Sequence, residues 1–101
     1  MLSIYVPRGN SLERKSVEST EELQLDAKGM REDYQRGLAE FPGNAALRTF
    51  LAMTLYNLGA AHDGLGLALT VLAETSGDPD VQRYRPAIEF YAGDLDAVDG
   101  R

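Results

Sequence analysis

Three clusters of turn-forming residues, Phe41-Pro42-Gly43-Asn44, Asn57-Leu58-Gly59 and Ser76-Gly77-Asp78-Pro79, cut the chain beyond residue 20 into segments too long for ordinary strands and well matched to helices. Pro42 disfavours helical geometry at Phe41, and Gly43 permits positive φ. Gly59 suits the left-handed position just past a helix, whereas Asp78 and Pro79 form a cap and a first helical residue. Between these breaks the apolar residues recur at three and four. Leu23, Ala27, Met30, Tyr34 and Leu38 make one stripe, with Glu32, Asp33 and Arg36 opposite. Ser19-Thr20-Glu21-Glu22 has the capping-box form and predicts a helix start near Thr20.

A second helix is predicted from a cap at Asn44 through Leu47, Phe50, Leu51, Thr54, Leu55 and Leu58. The third, from about Ala61 to Thr75, carries Leu65, Ala68, Leu69 and Leu72 on one face, with Leu67 and Val71 nearby. Being apolar on more than one side, it is expected to be the most buried helix. The fourth aligns Val81, Tyr84, Ile88, Tyr91, Leu95 and Val98, and Pro86 predicts a kink or short break near Arg85. On this pattern the tyrosines at 84 and 91 belong to the core. Residues 1–19 are read as an extended or mobile arm, since Leu2 to Val6 has strand-forming residue types without a visible partner strand. Residues 20–98 make a single helical domain. A length of 101 residues, 44% hydrophobic and 26% charged, accords with one folded domain.

Pro42, Leu51-Ala52, Leu55, Gly59, Gly64 and Ala68 follow one another in an order and spacing that resembles the tetratricopeptide repeat, over about residues 44–76. Leu38, Tyr34 and Met30 fall where the second helix of a preceding repeat would place its core. With Gly37-Leu38-Ala39-Glu40-Phe41-Pro42, Arg83-Tyr84-Arg85 and Phe90-Tyr91-Ala92, the chain is similar to a bacterial tetratricopeptide subfamily of small helical proteins. The resemblance implies an all-α fold, an antiparallel helix-pair array of about four helices forming a fragment of a right-handed superhelix. It also implies a protein or peptide partner bound on a helical-repeat surface. Two departures matter. Gly64 and Gly66 each cost a helix up to about 1 kcal/mol unless close packing recovers it. The segment before residue 26 does not look like the first helix of a repeat.

The chemistry of sites is sparse. There are no cysteines, so thiolate metal sites and cysteine nucleophiles are excluded. His62, the one histidine, neighbours Asp63, but adjacent helical residues point about 100° apart and do not converge on one ligand. Asp94, Asp96 and Asp99 lack the glycine and final glutamate of a calcium loop and read as a solvated tail. No phosphate-cradling or nucleophile motif occurs, so no catalytic, cofactor or metal role is assigned. The net charge of −6 works against nucleic acid and anionic membranes. The amino-terminal apolar patch is shorter than a signal or a membrane span, and a cytoplasmic protein is expected. The expected function is a protein-interaction module, with Arg48, Thr49, Met53, Tyr56 and Asn57 of the second helix as partner-binding residues. The alternative is a structural unit that binds itself, most simply a homodimer, because about one and a half repeats cannot cover their own hydrophobic faces.

Overall fold

The capping residues set the boundaries. In the computed structural model, which describes residues 2–8 and 11–95, Ser19 accepts a hydrogen bond from the Glu22 backbone N–H and opens α1 (Thr20–Glu40). Glu22 reaches back to accept from the Glu18 N–H at 2.9 Å, one residue earlier than a standard capping box. Asn44 caps α2 (Ala45–Asn57) through the Leu47 N–H, and Asp78 caps α4 (Pro79–Arg83) through the N–H groups of Asp80 and Val81. Between them, α3 spans Ala61–Thr75. At Tyr84 the backbone leaves the helical region (φ −98°, ψ 9°), and α5 (Arg85–Gly93) follows with Pro86 in its first turn. The break expected near Arg85 is present. Val98, Asp96 and Asp99 lie outside the described residues.

Gly59 has φ +82°, the left-handed value expected at the end of α2. Nothing lies within 4 Å of where its Cβ would be, so any substitution there acts on the backbone alone. Gly59→Val is therefore expected to cost about 1–2 kcal/mol, and Gly59→Asn measurably less, in denaturant melts.

One element goes beyond the helical expectation. Residues 2–8 form a strand, β1 (Leu2–Arg8), that pairs antiparallel with β2 (Ser11–Val17), in a register that sets Leu2 opposite Val17, Ile4 opposite Lys15 and Arg8 opposite Ser11. The partner strand was hidden because Ser11–Val17 is mostly polar and charged, SLERKSV. The pair lies against α1. Ile4 and Val17, both 4% exposed, join Ala27, Met30, Tyr34 and Leu51 in the core. Lys15 on β2 donates to the Asp26 carboxylate on α1 at 2.7 Å, with Glu22 at 3.9 Å. That hydrogen bond holds the Lys15 pKa above its ordinary value, and burial, aided by Asp33, does the same for the Tyr34 phenol. Both groups keep their protons more tightly when folded, so their contribution is intact at neutral pH and is lost only as alkali exceeds about pH 10.

α1 packs on α2, α2 on α3, and α3 on α5 in preference to the short α4. Tyr34 on α1 meets Phe50 on α2, with ring centroids 6.0 Å apart, and Gly37 faces Leu47. Arg48 near the start of α2 donates to Glu74 near the end of α3 at 2.9 Å, while Gly64 at the start of α3 faces Ala52 and Tyr56. Gly66 faces Ala92 on α5. Residues 64 and 66 are about 200° apart around a helix, so α3 touches α2 with one edge and α5 with the other. The stripe between those edges is left bare. Leu65 is 53% exposed, Leu72 44%, and Ala68 is exposed too. The expectation that α3 is the most buried helix is corrected for its leucines alone: α3 holds four buried residues, Gly64, Gly66, Val71 and Ala73, against three each in α1 and α2, yet Leu65 and Leu72 stay exposed.

The core placement of Tyr84 and Tyr91 is corrected in the same way, since they are 58% and 39% exposed. α5 meets α3 on the side of Ala92, about 100° round the helix from Tyr91, where the lack of a side chain at Gly66 lets the Ala92 backbone carbonyl approach closely. Phe90 and Tyr91 instead stack edge to face at 5.3 Å, and the Arg83 guanidinium lies over the Tyr84 ring at 5.8 Å.

Candidate functional site: the uncharged face of helices 2 and 3

From Thr49 to Ala73 the sequence carries a single carboxylate, Asp63, and the histidine at 62, in a chain of net charge −6. The fold sets this stretch as two antiparallel helices with one side open to solvent. Thr49, Met53 and Tyr56 lie on α2 at spacings of four and three, and Leu65, Ala68 and Leu72 lie on α3 at three and four. Between them runs a depression of about 430 Å³, lined by Thr49, Ala52, Met53, Tyr56, Ala61, Gly64, Leu65 and Ala68. Ala52 and Gly64, both buried, lie at its floor, and Met53, Tyr56 and Leu65 are the large residues around it. Tyr56 is 71% exposed and Met53 49%, so these side chains stand up from the surface. The Thr49 hydroxyl donates to the Ala45 carbonyl at 2.8 Å, so its hydrogen is satisfied within the helix.

The five residues singled out on α2 divide among three places. Thr49, Met53 and Tyr56 line the depression together. Asn57 lies on the far side of Met53, in a smaller cavity of about 140 Å³ that the strand pair closes with Ser3, Ile4, Tyr5 and Leu12 over Met30, Tyr34 and Phe50. Met53 borders both cavities. Arg48 is taken up by the fold: its side chain is 13% exposed and donates to Glu74 and, at 3.4 Å, to the Gly43 carbonyl. Its Nε is buried without a partner. Arg48 thus links the first turn of α2 to the last turn of α3. The α3 wall of Leu65, Ala68 and Leu72 was missed in the sequence. The signal was there, since a helix apolar on several sides either is buried or presents an unpaired face, and periodicity alone does not separate the two.

A second concavity, of about 350 Å³, lies where α3 meets α5 and includes His62, Asp63, Thr70 and Asp94 above the contact of Gly66 with Ala92. His62 and Asp63 are exposed first-turn residues of α3. Among the described residues no group of three or more His, Cys, Asp or Glu side chains is placed to hold a metal ion, and no helix is long and apolar enough to cross a membrane. No family model matches the chain, and no curated protein matches it significantly.

Proposed function

We propose that this protein is a protein-interaction module that docks a helix of another polypeptide along the open side of α2 and α3. The observation that carries this reading is the continuous uncharged trough between Thr49, Met53 and Tyr56 on one wall and Leu65 and Ala68 on the other. An exposed apolar surface of this extent costs a water-soluble chain free energy unless something covers it, which is why such patches mark interaction sites. Its shape suits a helix. Two parallel rows of apolar residues spaced three and four apart receive the i, i+3, i+7 stripe of an amphipathic partner. The resemblance of residues 44–76 to a tetratricopeptide repeat supports the same reading, because stacked helix pairs present side chains of this kind to a peptide or helix. Thr49, Met53 and Tyr56 would be contact residues, Arg48 would hold the two helices in register, and catalysis has no part in the assignment.

The test is a displayed library of amphipathic helical peptides selected against the protein. Binders are expected to carry an i, i+3/i+4, i+7 apolar stripe, and to lose at least tenfold in affinity on Leu65→Glu, with unchanged helicity by circular dichroism. Selected helices that bind Leu65→Glu and Tyr56→Ala as tightly as the unaltered protein would place the docking surface elsewhere.

A further inference from the structure

We infer that the polypeptide docked on the α2–α3 face is a second copy of this chain, joined about a two-fold axis so that two helix pairs form a four-helix contact. The inference rests on the interaction reading above and commits it to one partner. Three observations favour the second copy. First, the face is self-complementary. It carries knobs, Tyr56 and Met53 on α2 and Leu65 on α3, beside a hollow floored by the buried Ala52 and Gly64 and edged by the small Ala61 and Ala68. A surface with both parts fits itself in an isologous pair, where whatever one copy projects the other must receive.

Second, the charge pattern is that of a self-interface. Two chains of net charge −6 repel, and they approach at least cost where neither presents a carboxylate. The face meets that condition over both walls: residues 49–61 and 64–73 contain no charged side chain. A dedicated foreign partner of opposite charge would be steered by acidic groups on the rim, and the cores of homodimer interfaces are depleted of charge in this manner. Third, the area is sufficient. Tyr56 at 71% exposure leaves more than about 100 Å² on its own. With Met53, Leu65 and Leu72 each near half exposed, the face reaches the order of 500 Å². Two such faces in contact meet the roughly 1,000 Å² of a specific interface. Among the other exposed apolar residues, Leu25 lies among Glu21, Glu22, Asp26 and Lys28, and Phe41 follows Glu40; isolated side chains of this kind are ordinary surface. Phe90 and Tyr91 form a second, smaller aromatic patch, but it is flanked by Glu89 and Asp94, which two acidic copies would bring together at a cost.

Sedimentation equilibrium of the full chain from about 1 to 100 µM decides the matter. The expected mass approaches twice the 11.1 kDa chain and falls toward one chain on dilution. Leu65→Glu and, separately, Tyr56→Ala are expected to weaken the association at least tenfold. Both side chains are exposed in the single chain, so circular dichroism should stay unchanged and at least one variant remain folded for the comparison. A dimer that ignores both substitutions assembles through another surface and overturns the inference. A mass of 11.1 kDa throughout the range also overturns it. If that monomer still binds amphipathic helices in a manner sensitive to Leu65→Glu, the interaction reading stands with a foreign partner. If it does not, both readings fall.

Discussion

Leu51→Ala is expected to destabilise the protein by about 2–5 kcal/mol, the range for deleting a leucine side chain from a packed core. Leu51 is 8% exposed and belongs to the cluster of Ile4, Val17, Ala27, Met30 and Tyr34, where strand pair, α1 and α2 come together. The main contacts of α2 are with α1 and α3, so the cavity left behind would lie between packed helices. Helix faces held on both sides close over such a gap only in part. The stated loss should therefore appear in urea melts as a lower midpoint with unchanged slope. A change within about 0.5 kcal/mol would put Leu51 at the surface and remove the packing of α2 on α1.

Gly64→Ala is expected to destabilise by about 1–3 kcal/mol, although alanine is the better helix former by up to about 1 kcal/mol. A Cβ at Gly64 would lie 2.7 Å from the Ala52 carbonyl oxygen and 3.5 Å from the Leu55 Cβ and the Tyr56 nitrogen. The first of these is backbone within α2 and cannot rotate away, so α2 and α3 must separate. The effect extends to function, since those two helices are the walls of the proposed docking face. Gly29→Ala is the internal control. It lies in the middle of α1 with nothing within 4 Å of its Cβ position, and there alanine is expected to stabilise by about 0.5–1 kcal/mol. Thermal melts of the two variants should move in opposite directions. If both move upward, α2 and α3 do not approach as closely as the structure has them.

Much of the fold was legible along the chain because its signals are local. Ser19, Asn44 and Asp78 act through hydrogen bonds to residues two or three positions away, and Gly59 and Pro86 act through their own backbone geometry. The stripe of Ala27, Met30 and Tyr34 is buried as its spacing predicts, because α1 has one apolar side, which α2 and the strand pair cover together. Half of the candidate site was legible for the same reason: Thr49, Met53 and Tyr56 follow from the side of α2 that its core residues leave over.

The remainder depended on which surfaces met. A polar strand such as Ser11–Val17 shows itself only when β1 supplies the pairing, since its backbone hydrogen bonds and not its side chains define it. For α3, periodicity showed apolar sides in excess but not the side on which a neighbour would pack. Glycine decided that, because Gly64 and Gly66 let α2 and α5 come closest on two opposite edges, and the leucines between those edges were left facing solvent. The sequence by itself determined where each helix begins, ends and bends. Tertiary structure alone decided that Leu65 and Ala68 would stand opposite Met53 and Tyr56, since close approach is settled by the smallest residues at a contact and the trough is what their larger neighbours leave uncovered.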